Sequence, residues 1–212
     1  GGNADDKKAL NNYLLQYAES TQKLAEGREK VASLINAYNA FTLNWILENY
    51  PTESIRALPD SWTEKRHIIG GKHVSLDEIE HDNLRPLIGW RVHSAIVCAA
   101  RSCPPLQPKA YTVENLDIMI DAVYSQWLGN PALNTFYPEK NKVELSLIFK
   151  WFEDDFKSLG GIKKIPVKDS PKEYQIFLAE DNYKIGFRDY HWGLNDQSNL
   201  GENYHYNIFK SL

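Results

Sequence analysis

From Arg28 to Tyr50, large apolar side chains fall at Val31, Leu34, Ile35, Tyr38, Phe41, Trp45 and Ile46. This i, i+3, i+4 spacing gathers them onto one face only if the stretch is α-helical. Pro51 ends it, because the residue before a proline is pushed out of helical backbone. A stripe this wide has to be covered, so the segment is expected as a central buried helix with the rest of the chain packed around it. Asn36 and Asn39 lie on or beside the stripe, where an amide removed from water needs partners or costs about 1–3 kcal/mol. They are expected either to tie the helix to loop backbone or to line a polar pocket.

The flanking segments read as short, mixed elements. Lys7 to Glu26 has a sparse helical stripe through Leu10, Leu14, Tyr17 and Leu24, with Gly27 as its end. HIIGGKHV at 67–74 reads as a tight hairpin turning at Gly70 and Gly71, since glycine supplies the positive φ that such turns need. Ser75 and Glu78 have capping-box spacing, opening a helix to Pro86 in which Asp77, His81 and Arg85 share a face. Arg91 to Ala100 is small and β-branched, and is expected as a central strand buried on both faces. Three prolines between Arg101 and Ala110 exclude regular structure there. A helix from Thr112 to Leu128 follows, then a hairpin over Phe136 to Leu145, helices over Leu147 to Leu159 and Lys172 to Glu180, and a strand over Lys184 to Tyr190. The expected class is α+β, one domain with a central buried helix, a small sheet and flanking helices. Its parts are an N-terminal helix over 1–30, the domain proper over 31–195 and an irregular C-terminal wrap over 196–212.

Composition narrows the function. At 212 residues with 42% hydrophobic and 25% charged residues, the chain can bury a full core without disulfide staples. Net charge is −4 with no basic block, so the counterion-release term that drives nucleic-acid binding is missing and no nucleic-acid partner is expected. No apolar run approaches the roughly 20 residues needed to cross a bilayer. The chain opens on Gly1-Gly2 before Asn3, which reads as a trimmed start from which either a tag or a secretory signal has been removed.

Chemistry concentrates in RVHSAIVCAARSCPPL, 91–106, which holds His93 and the two cysteines, Cys98 and Cys103. A thiol enzyme needs a nucleophilic cysteine, an imidazole to take its proton and a third group to orient the imidazole. In a strand, alternation would turn His93 and Cys98 to opposite faces, which favours Cys103, in the proline turn, as nucleophile. His93 is the candidate base, with Glu80 or Asp189 orienting it. A Cys98–Cys103 disulfide is the competing outcome. His81, His93, Cys98 and Cys103 have the right atoms for a tetrahedral zinc shell, but their spacing matches no finger or knuckle, and neither metal nor cofactor is assigned. Arg56 is expected to pair with a structural carboxylate. A non-enzymatic alternative uses Asn36, Asn39, Arg85 and Arg101, whose amides and guanidinium groups suit a peptide, glycan or small anion.

Seven ordered segments, LINAYNAFT at 34–42, SIR at 54–56, GGKHVSLDEIEHDNLRP at 70–86, VHSAIVCAARSCPPL at 92–106, AYT at 110–112, LIFKWFEDDF at 147–156 and DYHWGLN at 189–195, resemble the domain of unknown function 547 family. The resemblance implies an exported protein and supplies no activity. The expectation drawn from residues and resemblance together is a periplasmic or cell-surface domain, either a cysteine-dependent hydrolase or acyl transferase acting on a peptide or amide, or a binding module. Its expected partner is a small molecule or peptide; the sequence says nothing of its oligomeric state.

Overall fold

A computed structural model describes residues 4–19, 25–162 and 169–196. The long apolar stripe forms helix α2, Gly27–Glu48, preceded by α1, Ala4–Glu19. Gly27 opens α2 rather than closing α1, its φ of +56° turning the chain into the new helix. Val31, Ile35, Tyr38 and Phe41 are all buried. Each such side chain contributes about 1.5–3 kcal/mol by leaving water, and Ile35→Ala would cost about 2–5 kcal/mol.

Strands β1, His67–Ile69, and β2, Lys72–Val74, form the expected hairpin, with Gly70 and Gly71 at positive φ. Ser75 and Glu78 exchange the two bonds of a capping box, at 3.1 and 3.0 Å. The turn they open is a π-helix over Glu78–Leu84, continued by α3, Arg85–Ile88, so Pro86 sits in the first turn of a helix instead of ending one. π-Helical turns accommodate an extra residue and are common at functional sites. This one carries Glu80 to the interior and leaves His81 exposed.

The segment expected as a buried strand is not one. Gly89–Arg91 is a 3₁₀ turn and Val92–Ala95 is a short helix, α4; only from Ile96 does the backbone become extended. All four α4 side chains are buried. A continuous apolar run marks burial on every side, which a helical turn satisfies as well as a central strand does. Here packing against α5, Leu116–Leu128, favours the helix.

Helix α5 begins a turn later than Thr112, which instead exchanges bonds with Asn115. Its first half, Leu116 and Ile120, joins the core around α2; its second half, Tyr124, Trp127 and Leu128, joins a second core. That second core rests on a three-stranded sheet, in which β4, Lys142–Ser146, pairs antiparallel with β3, Thr135–Tyr137, and parallel with β5, Lys184–Arg188. Beyond β4, the expected helix to Leu159 breaks at Phe152 into α6, Leu147–Trp151, and a 3₁₀ stretch, Glu153–Leu159. A 3₁₀ turn, Lys172–Tyr174, and α7, Gln175–Ala179, precede β5. The molecule is thus a single α+β domain with two cores bridged by α5. Of the expected C-terminal wrap, all but Asp196 lies outside the described residues.

Candidate active site

A cavity of about 250 Å³ opens where the two cores meet, and its lining includes Tyr38, Glu80, His93, Cys98, Cys103 and Tyr190. Sequence separates these residues by as much as 152 positions; the fold gathers them through three local devices.

The first is the clamp exerted by α2. Asn39 donates to the Ala95 carbonyl at 3.0 Å and accepts from the Val97 amide at 2.9 Å. One turn earlier Asn36 holds Tyr111 through both its backbone groups, at 2.8 and 2.9 Å. Both amides are thus spent on backbone, as one of the two sequence expectations had it, and neither lines the cavity.

The second is a carboxylate clip across the seam. Arg85 donates to both oxygens of Asp155, each at 2.8 Å, and His93 Nε2 lies 2.7 Å from the same carboxylate. His93 is stacked on Phe152 with ring centroids 4.1 Å apart. With Nε2–H donated to Asp155, a neutral His93 leaves Nδ1 free of hydrogen. Partial burial pushes the Asp155 carboxyl up, but the bonds from His93 and Arg85 outweigh it and hold it well below the usual carboxylate range. The orienting group is therefore Asp155, not Glu80 or Asp189. Asp189 is exposed and lines other cavities. Glu80 instead accepts from the Tyr38 hydroxyl at 3.1 Å, and its burial raises its carboxyl above the ordinary value.

The third is the loop after Val97. Ala99 takes φ +55°, and the chain doubles back so that the Cys98 amide donates to Cys103 Sγ at 3.1 Å. The loop is fastened to the chain after β5: Arg101 N–H to the Gly193 carbonyl, Asn195 N–H to the Ala99 carbonyl, and the His191 amide to Ser102 Oγ. This delivers Tyr190, whose hydroxyl is 3.1 Å from Cys98 Sγ.

Both cysteines are free thiols, and they differ. The hydrogen bond from the Cys103 thiol, reinforced by that from Tyr190, lowers the Cys98 pKa against the effect of its burial. Burial pushes Cys103 well above the ordinary thiol value. Cys98 is half-buried where Cys103 is buried. The geometry that ranked Cys103 first depended on a strand that is absent. With α4 helical, His93 and Cys98 line one cavity. Neither sulfur hydrogen-bonds to His93.

Arg85 is occupied by Asp155 and by His81, 2.9 Å away, and Asp77 completes the expected ladder 3.7 Å from His81. Arg101 borders a different cavity with Tyr50, Glu53 and Gly193. Arg56, expected to meet a carboxylate, instead lies over the Trp192 ring at the cavity wall. Among the described residues no group of three or more His, Cys, Asp or Glu converges as a metal site.

Sequence reasoning passed over Asp155 and Tyr190. Asp155 stands in an acidic run, and only its place beside the buried Phe156 hinted which carboxylate turns inward. Tyr190 had no local signal, since its role comes from contact with residues about 90 positions away.

No curated protein and no solved structure matches the chain. A family model does match, over residues 21–128, a span that holds Glu80, His93 and both cysteines and stops short of Asp155 and Tyr190. The chain belongs to the family described as protein of unknown function, DUF547.

Proposed function

We propose that this domain is a cysteine-dependent acyl-transfer enzyme, a hydrolase or transferase of a peptide or amide, with Cys98 as nucleophile. The observation that carries the reading is the half-buried Cys98 sulfur on the cavity wall, 3.1 Å from the Tyr190 hydroxyl, where bonding to Cys103 and Tyr190 lowers its pKa. Two donors aimed at one sulfur activate it without an imidazole partner, because the thiolate is the nucleophile and hydrogen bonding to the charged form lowers its pKa.

In this mechanism the Cys98 thiolate adds to the carbonyl carbon. The tetrahedral intermediate collapses by breaking the C–N bond as the leaving amine takes a proton, which gives a thioester on Cys98. Water, or an acceptor amine, then loses a proton as it attacks the thioester and releases the thiolate. The proton carriers are Glu80 and His93, which line the same cavity. A carboxyl raised by burial holds a proton nearer neutral pH than a solvated one and can return it. Asp155 is a positioning residue, fixing the His93 ring through Nε2.

The test is acylation by para-nitrophenyl acetate with mass mapping of the adduct. Acetylation of Cys98, with turnover lost in Cys98→Ser, is expected. Acetyl groups on Cys103 alone, or full turnover in Cys98→Ser, would sink the proposal. The non-catalytic alternative draws on the aromatic walls of Trp62, Trp151 and Trp192, and ligand binding without any Cys98 adduct would favour it. Export, which family resemblance implies, belongs to the same proposal; fractionation of the native host, with the protein recovered in the cytoplasm, would reject it.

A further inference from the structure

The arginines of the described chain are spoken for, with one contrast. Arg28, Arg85, Arg91 and Arg188 each meet a carboxylate, Arg66 bonds the carbonyls of Pro59 and Ser61, and Arg101 is likewise engaged. Arg56 is exposed, and its guanidinium is engaged by a ring alone, its carbon 5.0 Å from the centre of Trp192. Its backbone is not free to wander. Ser54 caps the 3₁₀ turn Ile55–Ala57, the Ile55 side chain is wholly buried, and the neighbouring Glu53 carbonyl receives the Leu194 amide at 2.8 Å. The turn therefore presents a cation, held over an aromatic face, at the wall of the cavity that contains Cys98.

Trp192 belongs to an aromatic group on that wall. Trp151 stacks on it at 5.7 Å and 22°, Trp62 meets it edge-on at 6.0 Å, and Tyr190, whose hydroxyl bonds to Cys98, is 4.6 Å away. Trp151 keeps 46% of its surface exposed, unusual for so large an apolar ring. A planar guanidinium on a ring is pre-organised to accept a carboxylate through two parallel hydrogen bonds. Asp77 and Glu80 line the same cavity, and they repel a dianion more than a monoanion.

Resting on the acyl-transfer reading above, we propose that the substrate is a carboxylate-bearing acyl compound, its carboxylate received by Arg56 and its planar or apolar body lying against Trp192 and Trp151. The chemistry fits a peptide or amide with a free acid group near the reacting carbonyl, and disfavours phosphorylated substrates.

Two matched pairs of compounds test it. Calorimetric titration of the native protein with para-acetamidobenzoate and with the neutral para-acetamidobenzamide reads recognition without thiol chemistry. The carboxylate is expected to bind on the order of tenfold tighter, as one charge-assisted bidentate contact allows, with the preference falling towards unity in Arg56→Gln and partly kept in Arg56→Lys. Equal binding of the two compounds, or an undiminished preference in Arg56→Gln, overturns the inference. Para-phosphonoacetanilide binding tighter than the benzoate also overturns it, in favour of a phosphate-like ligand. Alkylation by the corresponding iodoacetamido-benzoate and iodoacetamido-benzamide then reads Cys98. A carboxylate preference in both measurements supports the inference and the thiol reading together. A binding preference with no Cys98 alkylation leaves carboxylate recognition standing and removes the thiol mechanism beneath it.

Discussion

The two walls of the cavity are built on opposite principles. On one, His93 is held by Asp155, itself paired with Arg85, through short, charge-assisted bonds, and the imidazole is stacked on Phe152. On the other, Cys98, Cys103 and Tyr190 are soft, weakly bonded groups set among tryptophans, with Arg56 over the Trp192 ring. In the mechanism proposed above, the first wall holds position and the second reacts. Glu80 lies between them in character, bonded to Tyr38 yet buried against its own charge.

The largest expected effect comes from removing the reacting atom. Cys98→Ser should abolish acyl transfer by at least about a thousandfold while leaving the unfolding midpoint nearly unchanged, since the half-buried sulfur contributes little to packing; loss of both together would make Cys98 structural and erase the contrast. Next is the rigid wall. Asp155→Asn leaves Arg85 without its counter-charge and should cost about 3 kcal/mol in urea unfolding. Because the folded carboxyl is held below its unfolded value, the stability it contributes is complete above the ordinary aspartate pKa of about 4 and is lost as pH falls below it. The gap between wild type and Asp155→Asn should therefore narrow in acid, and a constant gap would detach the carboxylate from the stability of that wall.

Smaller effects sharpen the reactive wall. In Tyr190→Phe or Cys103→Ala the Cys98 thiolate loses a donor, its pKa rises, and the pH profile of iodoacetamide labelling should move to higher pH. The rate at pH 7 is expected to fall about tenfold, equivalent to about 1.4 kcal/mol; an unmoved profile would return activation to an imidazole. Smallest is Glu80→Gln. The folded pKa of Glu80 is raised, so wild-type stability declines as pH rises from the ordinary glutamate value, about 4.3, through the folded one. The amide removes that penalty and should gain about 1 kcal/mol at neutral pH in thermal unfolding while slowing turnover. A loss of stability instead would make Glu80 a member of the rigid wall.

What the sequence disclosed follows from how local each signal is. Helix α2, both hairpins and the Ser75–Glu78 box depend on neighbours within a few residues, and all were readable. The strand expected over 91–100 failed because a run such as Val92 to Val97 states only that it is buried. Asn39, more than fifty positions earlier, satisfies the backbone at Ala95 and Val97 in place of a neighbouring strand. The ranking of the cysteines lost its premise with it, since it rested on strand alternation. His93 and the cysteines were legible as a constellation; Asp155 was not, because nothing local separates it from Glu153 and Asp154 until Phe152 breaks the helix and turns one carboxylate inward.

The asparagine clamp has a consequence on the clock of hydrogen exchange. The amide protons of Val97 and Tyr111 lie in irregular backbone, yet each is bonded to a side-chain oxygen of α2. Such protons exchange only when the bond opens, so both should persist as slow islands in otherwise fast segments. Since α2 holds both, they should be released together, and their common rate would time how often the floor of the cavity comes apart.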